Sequence, residues 1–239
     1  MKKVALVTGA CGGIGQAIVR RLHAEGWDVA LNGFNTQESG SQAALELTGA
    51  IYIDADVSSS AEAQRMVQET VTHFGRLDAV INNAGVAKQI PHADLDAVDD
   101  EFWDFIMAVN LKGPWNIARA ARAHLAQTRG QIINNASLAG LVPSGSSIPY
   151  AVSKAGLLHL TQLLAKSLGP EIRVNAVAPG YIDTPLTHDW AELREYVAEN
   201  APAKRLGSPE DVAEVVHGLL QMDYVTGTTI PVAGGLQLL

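Results

Sequence analysis

Val4-Ala5-Leu6-Val7-Thr8-Gly9-Ala10-Cys11-Gly12-Gly13-Ile14-Gly15 leads into the amphipathic stretch Gln16 to Ala24, and this run decides the fold. Four apolar residues suit a short buried strand, and the periodic segment after the glycines suits a helix that ends at Gly26. Strand, glycine-rich turn and helix in that order make an anion cradle. The glycines let backbone approach a pyrophosphate, and the helix N-terminus offers free N–H groups and the positive end of its dipole. Thr8, Gly9, Gly13, Ile14 and Gly15 are the residues this reading sets against a ligand.

Outward from there the pattern repeats. Strands are expected at Val29-Ala30-Leu31, Ile51-Tyr52-Ile53, Leu77 to Ile81, Gln131 to Asn135, Arg173 to Val177 and Thr229 to Val232. Between them the sequence predicts a helix from about Ala61 to Phe74 behind the serines 58–60. A long helix follows from about Asp100 to Ala126, broken near Gly113-Pro114, after an acidic loop and helix start at Asp94 to Glu101. Another helix begins near Tyr150, and a last one is launched by Ser208-Pro209-Glu210-Asp211 and runs to about Gln221. Such alternation specifies an α/β fold: a Rossmann-type, doubly wound, mostly parallel seven-stranded sheet with helices on both faces and its ligand at the carboxyl ends of the strands. With 239 residues and no charge-block or low-complexity linker, one domain spanning 1–239 is expected.

Composition narrows the function classes. The formal net charge of −8 argues against nucleic acid as a general partner. No apolar run approaches the ~20 residues of a spanning helix, and glycine interrupts the segment after Met1-Lys2-Lys3 too soon for a signal peptide, so no membrane partner is expected. Cys11 is the single cysteine, which excludes an internal disulfide framework and suits a reducing cytoplasm. The seven histidines are scattered without metal-ligand spacing, and no metal site is expected.

The chemistry is concentrated in Ser137-Leu138-Ala139-Gly140-Leu141-Val142-Pro143-Ser144-Gly145-Ser146-Ser147-Ile148-Pro149-Tyr150-Ala151-Val152-Ser153-Lys154. Tyr150 and Lys154 are four apart at the start of a helical segment and share one face. An ammonium ~4 Å from the phenol at an effective dielectric of ~20 contributes at most about 4 kcal/mol, roughly three pKa units, which would make a tyrosine that titrates near ~10 usable at neutral pH. Ser137, between an apolar run and a Pro/Ser/Gly-rich loop, can hydrogen-bond the same substrate oxygen. Taken alone, the tyrosine and lysine also fit a packed ring with a snorkelling amine. Asn135-Ala136-Ser137-Leu138-Ala139 is not a nucleophile elbow, and no histidine base accompanies it, so hydrolysis is disfavoured.

The glycine spacing T-G-x-x-x-G-x-G at the first strand, Asp56-Val57, Asn82-Asn83-Ala84-Gly85, Asn110, Ser137, Tyr150, Lys154 and Pro179-Gly180-Tyr181-Ile182-Asp183-Thr184 follow one another across the whole chain. In this order they resemble the short-chain dehydrogenase/reductase family. The resemblance implies an NAD(P)-dependent interconversion of a ketone and a secondary alcohol. Ser137 would bind the oxygen, Tyr150 exchange its proton, Lys154 lower the tyrosine pKa and hold the nicotinamide ribose, and Asn110 interrupt its helix and keep a proton relay wet. Asp56 would meet adenine, although a turn or cap role fits it equally. Val57, Asn83, Ala84 and Gly85 would line the cofactor cleft, and Pro179, Gly180, Ile182 and Thr184 the nicotinamide. Asn110 as a merely tolerated polar residue is the alternative.

The second strand ends in Asn32-Gly33-Phe34-Asn35, where such folds read the adenosine ribose. These residues offer no acid for a 2′-hydroxyl and no cation for a 2′-phosphate, and Gly12 precedes Gly13, so NAD is favoured over NADP, with NADP the alternative because the polar Asn32, Asn35 and Thr36 can also hydrogen-bond a 2′-phosphate. Leu138, Val142, Ser144, Gly145, Tyr181, His188 and Trp190 are the substrate candidates, with a lid over about 184–203. Mostly apolar surroundings suit a modest ketone or secondary alcohol, and a 3-oxoacyl thioester equally well. The helix from Tyr150 is apolar nearly all round, and Leu236, Leu238 and Leu239 are poor candidates for free exposure; a homo-oligomer is expected, and the resemblance makes it a tetramer. A cofactor-binding sensor or scaffold without turnover and a non-redox epimerase or dehydratase are the alternatives.

Overall fold

The alternation closes into one sheet of seven strands: β1 (Val4–Val7), β2 (Asp28–Gly33), β3 (Ile51–Asp54), β4 (Ala79–Asn82), β5 (Gln131–Asn135), β6 (Arg173–Pro179) and β7 (Thr229–Val232). The computed structural model describes residues 2–188 and 190–239. The strand order is β3-β2-β1-β4-β5-β6-β7, and every neighbouring pair is parallel. The order reverses between β1 and β4. That reversal opens a crevice beyond the strands' carboxyl ends, the usual ligand position in such sheets.

Strand alternation divides the core. Val4 and Leu6 of β1 face the layer of α3 (Ser60–Phe74) and α5 (Gly113–Thr128), with Met66, Ile117 and Leu125; Ala5 and Val7 face Ile18 and Leu22 of α1 (Gly13–Ala24) and Val216 and Leu219 of α8 (Pro209–Gln221). Full burial of each large aliphatic side chain contributes about 1.5–3 kcal/mol. The two layers therefore hold the sheet from both sides.

Helix boundaries depart from the sequence expectations in three places. First, α1 begins at Gly13 rather than Gln16, because Gly12 is extended and hands its successors straight into the helix. Second, α2 (Gln37–Leu45) carries no clear apolar stripe and was not anticipated; Gly40 packs so close to the Tyr52 ring that a Cβ there would run into it. Third, the expected break at Gly113-Pro114 lies earlier. After α4 (Asp100–Met107) the chain makes a π-helical turn at Ala108–Lys112, centred on Asn110, before α5 resumes with Pro114 harmless in its first turn.

α6 (Ile148–Leu168) starts two residues ahead of Tyr150, with the Ser147 hydroxyl capping the Tyr150 N–H. The segment 184–203, expected as a lid, forms a 3-10 turn at Pro185–Thr187 and then α7 (Ala191–Asn200); Asp189 within it lies outside the described residues. Among the described residues no helix is long and apolar enough to cross a membrane.

Candidate active site

The turn between β1 and α1 is held by Asn83, the residue that follows β4. Gly9 and Gly13 have φ of 61° and 51°, and a Cβ on Gly9 would come within 2.8 Å of the Ala84 Cα. Only glycine fits both demands. The Asn83 amide donates to the carbonyls of Thr8 and Gly9 at 2.9 Å each, while the Thr8 hydroxyl oxygen accepts the N–H groups of Asn83 and Ala84 at 3.0 Å. Thr8 and Asn83 shape the cradle from beneath. A Cβ on Gly12 would meet nothing within 4 Å, so the start of α1 opens onto free space.

A second asparagine bond lies beside the first. Asn82 donates to Asn134 at 2.8 Å, and Asn135 donates to Asn83 at 2.8 Å, so the ends of β4 and β5 are joined by an amide pair on each face of the sheet. Asn134 passes the bond on to Thr161 of α6 at 2.8 Å.

Beyond β5 the chain delivers Ser137, whose hydroxyl oxygen accepts the Ala139 N–H at 3.1 Å. Tyr150 and Lys154 project from successive turns of α6, with the Lys154 Nζ 5.7 Å from the centre of the Tyr150 ring. Lys154 is buried and donates to the Asn135 carbonyl at 2.9 Å. Gly85 lies against the lysine, where a Cβ would be in ordinary contact 3.5 Å from Nζ. Asn110, fully buried, accepts the Val86 N–H at 2.9 Å and donates to the Val86 carbonyl at 3.0 Å and to Ser153 at 3.2 Å. The π turn thus interrupts the helix at Asn110, as the family resemblance implies, rather than at Gly113-Pro114, and the Asn110 side chain is committed to protein partners.

Burial pushes the Tyr150 phenol above its ordinary value, with hydrogen bonding from Ser137 pulling the other way, and burial brings Lys154 down to about 8. Burial of the phenol is the first cause of this direction, because the charged phenolate is the form that desolvation disfavours.

These groups line a cleft of about 1190 Å³ together with Gly13, Ile14, Ala84, Gly85, Pro179, Gly180, Ile182 and Thr184. Leu138, Val142, Ser144, Gly145, Tyr181 and Trp190, the substrate candidates, line the same cleft. His188 does not. It follows the 3-10 turn at Pro185–Thr187 and faces a second depression with Asp183, Thr184 and Pro185. Ile90, His92, Leu193, Tyr196, Leu236 and Leu239 also line the cleft and were not singled out for it; the terminal leucines had stood out as apolar, and two of them face inward to this wall.

At the adenosine end Asn32 is turned inward, contrary to expectation. Its amide donates to the carbonyls of Gly33, Ile53 and Ala55 at 2.9, 3.1 and 2.9 Å, and only 1% of the residue is exposed. Gly33 and Phe34 remain at the turn, Phe34 exposed. Asp56 accepts both the N–H and the hydroxyl of Ser58 at 2.8 Å, which favours the turn reading left open for it, and Val57 is buried against Gly113.

A glycine cradle at a helix N-terminus, a buried lysine and two hydroxyls in one elongated cleft fit a nicotinamide dinucleotide with a carbonyl substrate beside it. A family profile described as Enoyl-(Acyl carrier protein) reductase matches residues 9–237. The chain is 48% identical to a Streptomyces violaceoruber protein named as ketoacyl reductase 2 of the granaticin polyketide synthase, over 99% of this chain and 96% of that one. It is 37% identical to the 3-oxoacyl-[acyl-carrier-protein] reductase FabG of Thermotoga maritima, over 98% and 97%. A Burkholderia xenovorans protein named as a short-chain dehydrogenase/reductase superposes with a TM-score of 0.93 at 34% identity, covering 99% and 98% of the two chains. The chain belongs to the short-chain dehydrogenase/reductase family. It is an NAD(P)-dependent oxidoreductase interconverting a ketone and a secondary alcohol.

Proposed function

We propose that this chain reduces a 3-oxoacyl thioester to its 3-hydroxyacyl product, with NAD(H) as the preferred dinucleotide. The observation that carries the reading is the Ser137 and Tyr150 pair at the base of a cleft whose far walls are largely apolar, in a chain so similar to ketoacyl reductases. When bound, a reduced nicotinamide supplies the hydride. Gly9, Gly13, Ile14 and Gly15 would hold its pyrophosphate, Gly33, Phe34 and Val57 its adenosine, and Ala84, Gly85, Pro179, Gly180, Ile182 and Thr184 its nicotinamide end.

Ser137 donates a hydrogen bond to the substrate carbonyl oxygen, and Tyr150 transfers its proton to that oxygen as the carbon is reduced. A phenol kept protonated by burial is suited to this direction; the reverse reaction requires the phenolate. Lys154 sits behind the tyrosine to bind the ribose and steady the charge that forms. Asn110 holds Val86 and, through Ser153, the backbone of Tyr150, to which Ser153 donates at 2.7 Å. Leu138, Val142 and Trp190 receive the acyl chain, and the lid limits water.

The enzyme works as a homo-oligomer, with a tetramer the first expectation, in the cytoplasm. Trp103, Phe105, Trp115, Val152 and Leu163 on α4, α5 and α6 are exposed in the single chain and form the natural subunit contact. The reading is tested by following reduced-nicotinamide absorbance with a 3-oxoacyl thioester and with a simple ketone of equal length. A kcat/KM at least about tenfold higher for the thioester is expected. Equal turnover of both would remove the thioester from the reading.

A further inference from the structure

The turn after β2 lacks an acid of its own, and the structure brings one from the next strand. Gly33 and Asp54 are partners in the β2–β3 register. The Asp54 carboxylate accepts the N–H of Asn35 at 3.3 Å, the N–H of Thr36 at 3.2 Å and the Tyr52 hydroxyl at 2.9 Å. Asn35 has φ of 55°, a left-handed residue between extended and helical chain. Successive main-chain N–H groups at such a residue make a concavity that binds anions. Here its occupant is the chain's own carboxylate. Thr36 ties the assembly to the glycine-rich turn through the Tyr52 hydroxyl at 2.9 Å and the Cys11 sulfur at 3.3 Å.

We propose that Asp54 is the specificity-determining residue at the adenosine ribose: it takes up the main-chain donors that a 2′-phosphate would need and sets a negative charge under the turn, selecting the dinucleotide without that phosphate. The inference rests on the reading that the chain binds a nicotinamide dinucleotide with its adenosine ribose at the end of β2. The side chains gathered at the turn, Cys11, Thr36, Tyr52 and Asp54, supply no counter-charge. Arg65 donates to the Asp54 main-chain carbonyl at 2.6 Å, and its guanidinium is paired with Glu69 at 2.8 Å and Glu62 at 4.0 Å. A phosphate carrying about two negative charges would meet a carboxylate and find its donors taken.

The test is the ratio of dissociation constants for NADPH and NADH, read from reduced-nicotinamide fluorescence, in the wild type, Asp54→Asn and Asp54→Ala, with melting followed by circular dichroism. The wild type is expected to bind NADH about tenfold or more tighter. The ratio should fall at least about tenfold in Asp54→Ala, which frees both N–H groups, and part of the way in Asp54→Asn, which removes only the charge. An unchanged ratio in folded variants overturns the proposal, as does a wild type that prefers NADPH. Should Asp54→Ala melt below the assay temperature, competition of 2′,5′-ADP against 5′-ADP on the wild type decides, and a preference for the 2′-phosphate overturns it. Absence of binding of either dinucleotide to the wild type would instead sink the cofactor reading itself, and this inference with it.

Discussion

Lys154 gives one N–H to the main-chain carbonyl of Asn135, 2.9 Å away, and so this lysine is anchored on the very strand that delivers Ser137 two residues later. The amine and the serine share one rigid support, and the tyrosine lies on the helix that packs against it. Relative positions are thus set before any substrate arrives.

Tyr150→Phe removes the proton donor while keeping the ring that fills the buried site. We expect kcat to fall by about 10²–10⁴-fold and NADH affinity to change by no more than a few fold, checked by steady-state rates and fluorescence titration. Near-native turnover would mean that another group delivers the proton.

The charge of Lys154 makes stability depend on pH with a definite sign. Its folded value is drawn down to about 8 by burial, whereas an unfolded lysine holds its proton to about 10.4. Between these values the unfolded chain binds a proton the folded chain has released, so the lysine's contribution is present above the unfolded value and lost as pH falls through the folded one. Lys154→Met should therefore raise the melting temperature relative to wild type more at pH 7 than at pH 10. A gap independent of pH would show that the ammonium is not desolvated.

Gly9 combines a left-handed backbone with a Cβ direction blocked by Ala84. Gly9→Ala is expected to destabilise the fold by about 1–3 kcal/mol and to weaken dinucleotide binding about tenfold or more. Urea unfolding and titration with NADH measure the two effects separately, and wild-type values for both would show that the cradle tolerates displacement.

Ser208 and Asp211 cap α8 reciprocally, the Ser208 oxygen accepting from the Asp211 N–H at 3.2 Å and the Asp211 carboxylate from the Ser208 N–H at 2.8 Å. Ser208→Ala should cost about 1 kcal/mol, or about 2–4 °C in melting temperature, with kcat unaffected because the cap lies outside the cleft. A loss of activity without loss of stability would contradict a purely structural cap.

The parts legible in the sequence were those whose chemistry depends on local spacing. The β1 turn, the Tyr150 and Lys154 pair and the cap at Ser208 each arise within a few residues, and the alternation of apolar runs gave the sheet. Features set by distant partners were not legible. Asn32 looked free for a ribose because nothing local reveals that Ile53 and Ala55 carbonyls wait for its amide. Asp54 follows the expected strand Ile51-Tyr52-Ile53, and only the β2–β3 register brings it under Asn35 and Thr36. His188 failed as a substrate residue because a single 3-10 turn directs it away from the cleft. The direction of the Tyr150 shift depends on total burial, which no four-residue spacing encodes.

The paired asparagines at the ends of β4 and β5 constrain how this sequence can drift. Replacing any one of Asn82, Asn83, Asn134 or Asn135 by an apolar residue leaves its partner amide short of a bond, a cost of about 1–3 kcal/mol, and replacing both members of a pair also takes away the Asn83 bonds to Thr8 and Gly9 or the Asn134 bond to Thr161. This part of the sheet is therefore held against single and paired substitution alike, from the glycine-rich turn to α6.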